Sequence, residues 1–361
     1  MPIMSQTAIP SKLEQIAKEA GVSVRTVYRI LQGENKESWP SSSKRGQLIR
    51  KISQRIDFSH DANARSLRTG KKMQVAVLLR NTEGGALREH FPEAFEIILG
   101  MNEALEPAGY SLTMATIGDV LHPRSTHSRI FREQLVDGLI VISQMPEELL
   151  KKVEQIVPTC LWVHSNVWRD RNCIRRDETH AGEETARRML GLGYKKLLWV
   201  GPPEDGEDRH YSELQRLNGV RSVAAETGPA ELFEIRANDF AELSAQHETL
   251  LRLLRPETAV IAYSTRYAEW LSRCAQKVRR IAPHDFALAC CDDSRQISTD
   301  WPGLSRMGFD QFELGRRAGE MMLANLSEDG SDADSQLVRE SWIAGNTANR
   351  PESDDGRPNP H

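Results

Sequence analysis

From Gln74 to Leu326, short apolar runs alternate with helical stretches, and this order restricts the fold more than any other feature of the chain. Strand-like runs fall at Gln74–Leu79, Ser111–Ala115, Gly138–Ile142, Thr159–Val163, Lys196–Val200, Ala259–Ala262 and Phe286–Cys291. Helical patterns lie between them, among them Pro92–Ala108, Glu147–Val157, Thr179–Leu192 and Glu313–Leu326. A strand–helix–strand order requires crossover connections, so the strands run parallel and helices cover both faces of the sheet. The length of this region fits two such units of about 100–120 residues each. The expected class is therefore α/β.

Apolar residues make up 39% of the 361-residue chain and charged ones 27%, which suffices for packed cores and argues against wholesale disorder. No apolar run approaches the ~20 residues that span a bilayer. Met1–Pro10 lacks the basic start and apolar core of a secretory signal. The five Cys contain no C-x-x-C, so neither a disulfide framework nor a structural zinc site is indicated. A reducing cytoplasm is the expected location, with no metal or cofactor.

Charge is unevenly distributed. Residues 1–72 carry 14 Lys and Arg against 6 Asp and Glu, a net +8; the whole chain is −4, which leaves −12 on the rest. A basic first fifth on an acidic body is the electrostatic signature of a nucleic-acid-binding head, although a merely solvating basic tail has the same composition.

The first sixty residues sharpen this. Ser11-Lys-Leu-Glu14 fits a capping box, followed by Leu13, Ile16, Ala17 and Ala20 at helical spacing. Gly21 ends that helix, where a positive φ is needed. Ser23 can cap a second helix in which Val27, Ile30 and Leu31 share a face while Arg25, Thr26 and Arg29 point outward. Two short helices joined by a Gly-containing turn form a helix-turn-helix, whose second helix enters the major groove; an ordinary helical hairpin is the competing reading. A third helix, Lys44 to Ile56, carries Leu48, Ile49, Ile52 and Ile56 on one face.

The stretch Ile16-Ala-Lys-Glu-Ala20-Gly21-Val22-Ser23-Val24-Arg25-Thr26-Val27-Tyr28-Arg29-Ile30-Leu31-Gln32-Gly33 resembles the head of the lactose-repressor (LacI/GalR) family of bacterial regulators. Tyr28 and Gln32 stand where the family has Ser and Asn. The resemblance implies that Val24 and Arg25 read bases, that Arg29 reaches a base or phosphate, and that Ser23 and Thr26 hold phosphates. The segment Glu34–Ser43, with Trp39-Pro40, is about four residues longer than the family loop. Asn63-Ala64-Arg65-Ser66-Leu67-Arg68 is similar to the family hinge, a short helix laid in the minor groove. By that resemblance Leu67 wedges into a base step, and Asn63, Ala64, Arg65 and Ser66 line the groove. So short a segment cannot hold a helix alone in water, so it is expected to order only on DNA with a partner subunit. The expected division is a head at 1–60, a hinge at 61–72, a body at 73–345 and a disordered tail at 346–361.

The resemblance continues through Gly109-Tyr110-Ser111-Leu112, Val136-Asp137-Gly138-Leu139-Ile140, Leu192-Gly193-Tyr194, Asp292-Asp293 and Val338-Arg339-Glu340-Ser341. It implies a two-lobed, periplasmic-binding-protein-like body with parallel sheets. Lobe 1 is expected at 73–191 and 304–326, lobe 2 at 194–300 and 336–345, with crossings near Gly191–Gly193, Ser294–Gly303 and Ser327–Ser335. A small polar effector, sugar-like, is expected in the cleft at the carboxyl ends of the strands. Arg216 matches the family's effector clamp and Asp177 a family acid; a surface salt bridge is the alternative for Arg216. Thr265 replaces another family acid. His90, Phe91 and Phe95 fall where the first lobe closes the cleft, and Asp292 ends a strand beside it.

No G-x-S-x-G, P-loop, H-E-x-x-H or strand-following G-x-G-x-x-G occurs, so no catalytic residue is assigned. The expected molecule is a homodimeric, effector-responsive regulator, in all expectation a repressor, that binds a pseudo-palindromic double-stranded operator. Two alternatives remain: a small-molecule carrier whose basic head binds a partner other than DNA, and an α/β enzyme with an accessory domain.

Overall fold

The computed structural model describes residues 11–31, 40–58, 66, 69–81, 86–118, 133–142, 147–157, 159–204, 209–228, 230–293, 301, 303–327 and 330–349. They fall into two compact units, residues 1–72 and 73–361.

The described residues of the first unit form α1 (Lys12–Ala20), α2 (Val24–Leu31) and α3 (Pro40–Arg55). Ser11 and Glu14 close a reciprocal capping box on α1, and Gly21 ends it in the left-handed region at φ 64°. Ile16, Ala17, Val27, Ile30, Ile49 and Ile52 form one buried cluster, so three amphipathic faces meet in a single small core. Helix α3 starts at Pro40, earlier than the expected Lys44, with proline at the first helical position, where its missing N–H costs nothing.

The second unit holds two six-stranded sheets. The elements run β1 (Gln74–Asn81), α4 (Ala86–Leu105), β2 (Ser111–Gly118), β3 (Gly138–Ile142), α5 (Glu147–Ile156), β4 (Cys160–Val163), β5 (Cys173–Arg176), α6 (Glu178–Gly191), β6 (Lys196–Gly201) and α7 (Tyr211–Glu226). They continue with β7 (Glu231–Arg236), α8 (Phe240–Ala245), α9 (His247–Leu253), β8 (Thr258–Ala262), α10 (Thr265–Lys277), β9 (Ala287–Cys290), β10 (Ser305–Gly308), α11 (Gln311–Asn325), β11 (Gln336–Val338) and β12 (Ser341–Ile343). The first sheet has the order β11-β5-β4-β3-β1-β2 and the second β12-β10-β9-β8-β6-β7. All pairings are parallel except β10 with β12.

Alternation along each central strand feeds two cores per sheet. In β1, Val75, Val77 and Leu79 pack to one side, while Ala76 and Leu78 pack to the other. In β6, Leu198 and Val200 oppose Leu197 and Trp199. Both faces of each sheet are buried, as parallel sheets require.

Helices α6 and α7 approach through glycines. A Cβ on Gly182 would lie 1.9 Å from the Arg216 carbonyl oxygen, and one on Gly219 2.3 Å from that of Thr179. In the first lobe α4 and α11 do the same, with Gly100 against Phe312 and Gly315 against Ile97.

The chain passes between lobes at Asp177, at Phe309–Asp310 and at Arg339–Glu340, because β5 and β11 belong to the first sheet and β10 and β12 to the second. These positions differ from the expected ones. Helix α6 and β10 belong with the second lobe, and β11 belongs with the first. Gly193, at φ 85°, makes a turn inside the second lobe rather than a crossing. The expected disordered tail also needs correction at its start. Residues 346–349 are ordered: the Thr347 hydroxyl accepts from the Ser305 N–H at 2.9 Å and donates to the Leu288 carbonyl at 2.8 Å, and Ala348 is buried. The rest of that segment lies outside the described residues.

Candidate functional site

In the head, the residues expected to meet DNA are presented by α2. The Ser23 Oγ accepts from the Thr26 N–H at 3.1 Å, capping the helix, and lies 2.8 Å from the Thr26 hydroxyl. Val24, 41% exposed although apolar, and Arg25, also exposed, occupy the first turn beyond that cap. Arg29 is exposed one turn on, while Val27 and Ile30 point into the core. An uncovered valine between two polar caps and an arginine is poorly explained by packing and suits contact with base edges. Of the hinge residues, Asn63, Ala64, Arg65 and Leu67 lie outside the described residues; Ser66 is half-buried.

The body brings a second group together at the carboxyl ends of β4, β5, β8 and β9. Strand β5 ends in Arg175 and Arg176, both buried. The chain then crosses to the second lobe, where the Asp177 carboxylate caps α6 by accepting from the His180 N–H at 3.1 Å. Arg339, at another crossing, donates to the other Asp177 oxygen at 3.3 Å.

Glu178, the next residue, is fully buried. It accepts from Arg216 through both carboxylate oxygens, at 2.5 Å and 3.0 Å. Arg176 Nε reaches Glu178 at 3.3 Å and Glu340 at 2.9 Å, and its Nη1 reaches Asp292 at 2.9 Å. The guanidinium of Arg176 also lies 4.5 Å from the ring centre of Phe309. Arg176 therefore touches residues from all three crossings. Two guanidinium groups and three carboxylates share a site from which water is largely excluded, where each charge needs its partners.

The surroundings set the protonation states. Burial pushes the Asp292 carboxyl up, but Arg216 and Arg176 outweigh it and hold the group down at about 2. Glu340 goes the other way. Burial raises it to about 7, opposed by Arg176 and reinforced by the negative charge of Glu178. Burial lowers His210 to about 4.

These shifts predict opposed effects of pH. Glu340 ordinarily titrates at 4.5, so its contribution to stability is full below that pH and is lost as pH rises through about 7. His210 ordinarily titrates at 6.5, so its contribution is full above that pH and is lost as pH falls through about 4. Glu340→Gln therefore gains stability relative to the wild type as pH rises between these Glu340 limits, by at most about 1.4 kcal/mol per unit. Urea melts across that window check it; parallel pH profiles for the two proteins would show an unperturbed carboxyl.

The sequence-derived effector candidates are placed as follows. Arg216 is 2% exposed, paired to Glu178, and its Nη1 donates to the Tyr263 carbonyl at 2.8 Å. Asp292 keeps a side chain 18% exposed and lies 3.6 Å from Arg216. Thr265 is buried in the first turn of α10. Phe95 is 45% exposed on α4. His90 and Phe91 lie on that same helix, which starts at Ala86 rather than at the expected Pro92; their side chains are outside the described residues.

Sequence reasoning missed a polar and aromatic bridge between the lobes. The Tyr211 hydroxyl lies 3.0 Å from His164 Nδ1, and the Tyr211 N–H donates to Asn166 at 2.8 Å. His210 Nδ1 lies 2.7 Å from the Ser212 hydroxyl, which lies 2.7 Å from that of Tyr263. No periodicity marks these residues: His164, Asn166 and Tyr263 follow strands, and His210, Tyr211 and Ser212 stand at the start of α7.

The adjacent Asp292 and Asp293 do not pair with each other around a metal: Asp293 accepts from Arg306 at 2.7 Å. Cys291 is buried and its thiol is pushed up to about 12 by that burial, which suits a core residue rather than redox chemistry.

Two lobes of parallel sheet, three crossings and a cluster of buried charges at the strand ends define a periplasmic-binding-protein-like body, and residues 186–348 match the family described as "Periplasmic binding protein-like domain". Among curated proteins, the ribose operon repressor of Lactococcus lactis is 21% identical over 86% of this chain and 89% of its own. The HTH-type transcriptional regulator RegA of Clostridium saccharobutylicum is 19% identical over 92% of this chain and 98% of its own. Among solved structures, the lac repressor dimer bound to operator and the anti-inducer ONPF superposes with a TM-score of 0.71 at 18% identity, covering 94% of this chain and 100% of that one. Over most of its length the chain is thus similar to curated transcriptional regulators, and it shares the fold of the lac repressor. No described helix is long and apolar enough to cross a membrane.

Proposed function

We propose that this regulator works in the cytoplasm as a homodimer that represses transcription from a pseudo-palindromic operator and is gated by a small polar effector between its lobes. The observation that carries the reading is the exposed first turn of α2, where Ser23, Val24, Arg25 and Thr26 leave the head core and face outward. The net +8 of residues 1–72 supplies the sequence-independent attraction to phosphates. Arg29 and the hinge residues Asn63, Ala64, Arg65, Ser66 and Leu67 complete the contact, with Leu67 wedged at the centre of the site. The named relatives, a ribose operon repressor and a lac repressor bound to operator, support the same assignment.

In the body, the effector lies against Asp292 and Arg216 on the second-lobe side, with Asp177 and Thr265 behind them. His90, Phe91 and Phe95 on α4 close it from the first lobe. Its binding changes the angle between lobes, and that change biases the 61–72 hinge between folded and unfolded forms, so effector and operator affinities are coupled reciprocally.

Replacing Leu67 by Ala tests the DNA half of this reading. It weakens operator binding and reduces the bend angle, measured by gel-shift mobility of circularly permuted duplexes, while the body melts unchanged. An undiminished bend contradicts the wedge.

A further inference from the structure

Among the described residues, every guanidinium around the charge cluster but one is paired with a carboxylate. Arg176 and Arg216 are paired with Glu178, Asp292 and Glu340, although Arg176 Nη2 and Glu340 Oε2 are themselves buried without a hydrogen-bond partner. Arg175, the neighbour of Arg176 at the end of β5, has none among the described residues, although it is only 9% exposed. Its Nε is buried without an acceptor. The two acids that follow it in sequence are committed elsewhere, Asp177 to the α6 cap and Arg339, Glu178 to Arg216 and Arg176.

Arg175 is held by its faces instead. Its guanidinium carbon lies 4.3 Å from the ring centre of Trp168 in the first lobe and 4.4 Å from that of Tyr211 in the second. Two aromatic faces fix the plane and leave only the edge, where the N–H donors point, to be satisfied. A planar fork of donors fixed in this way matches two oxygens of a carboxylate or phosphate. The Tyr211 hydroxyl that flanks it is bonded to His164 Nδ1 at 3.0 Å, a polar pair at the ring edge suited to sugar hydroxyls.

We propose that Arg175 is an anion-reading subsite of the interlobe cleft, so that the effector is a polyol bearing an acidic group: a sugar acid or a sugar phosphate. This rests on the effector-gated reading above and narrows it from small polar molecules to anions. Because Trp168 and Tyr211 come from opposite lobes, an anion on Arg175 acts where the lobes meet.

The test is thermal melting of the full chain at constant ionic strength. The probes are D-gluconate, D-glucuronate, D-glucose 6-phosphate, D-ribose 5-phosphate and inorganic phosphate, with neutral D-glucose and D-ribose as controls. At least one anion raises the melting temperature while its neutral parent does not. Response to the carboxylates alone identifies a sugar acid; response to the phosphates alone identifies a phosphorylated ligand. Arg175→Gln weakens the responding anion about 10- to 100-fold, and Arg175→Lys restores part of it. The unliganded Arg175→Gln protein melts within a few degrees of the wild type, because the change removes a buried charge that has no partner. If neutral sugars shift melting as much as the acids, if no anion shifts it, or if Arg175→Gln leaves the response intact, the subsite is overturned. Duplex selection on the same preparation separates the two readings. A duplex preference without an anion response overturns the subsite alone, whereas no duplex preference overturns the regulator.

Discussion

Replacing Glu178 by Gln lowers the stability of the body by about 3–5 kcal/mol. The carboxylate is fully buried and accepts two hydrogen bonds from Arg216 while lying 3.3 Å from Arg176 Nε. A neutral amide of the same shape leaves two guanidinium groups facing Asp292 and Glu340 alone. Arg216 loses its two-oxygen carboxylate partner and keeps only Asp292, 3.6 Å away, so a buried positive charge is left underpaired. Orphaning a buried charge is far more costly than losing an exposed pair such as Arg187–Glu183, and Glu183→Gln is the matched control at under about 1 kcal/mol. Denaturant melts of the two variants measure the difference. Equal, small losses would mean that the crossings are not held by this cluster.

Gly182→Ala lowers stability by about 1–3 kcal/mol or more, despite being a change toward better helix propensity. The added methyl group meets the Arg216 backbone at 1.9 Å, and a carbonyl cannot swing aside as a flexible side-chain end does. The helices must part, and Arg216 moves away from Glu178 as they do. Gly191 on the same helix has nothing within 4 Å of its would-be Cβ. Gly191→Ala is accordingly neutral or slightly stabilising. Circular-dichroism melts of both variants report whether close packing or propensity governs α6; a stable Gly182→Ala protein would contradict the close crossing.

What the sequence disclosed and what it hid follow from one distinction. Elements whose role is apolar burial were legible: Gly138–Ile142 reads as a buried strand and is one, and the capping box at Ser11 and the glycine stop at Gly21 appear where their chemistry requires. Strand β5 was not legible, because Cys-Ile-Arg-Arg looks like a polar surface segment; Arg176 is buried because Glu178, Asp292 and Glu340 meet it, and Arg175 because Trp168 and Tyr211 cover it. The run Arg175-Arg176-Asp177-Glu178, opposite charges in direct succession, was the available signal for that junction. The crossings were displaced for a related reason. Glycine and acidic loops mark turns, whereas these crossings are marked by charged residues whose partners lie across the fold. The edge strand Glu231–Arg236 escaped because only Ile235 on it is buried.

The proposed regulator has a head that reads double-stranded DNA in sequence and a body that decides when. Selection of duplexes from a random pool by the full chain, followed by measurement of affinity for the enriched site and for a scrambled one across a salt series, tests this most directly. The account predicts an enriched site with two related halves about one helical turn apart. It also predicts binding at least ~1,000-fold tighter than to the scrambled duplex, with affinity falling steeply as salt rises. No enrichment, or equal affinity for both duplexes at physiological ionic strength, would contradict it.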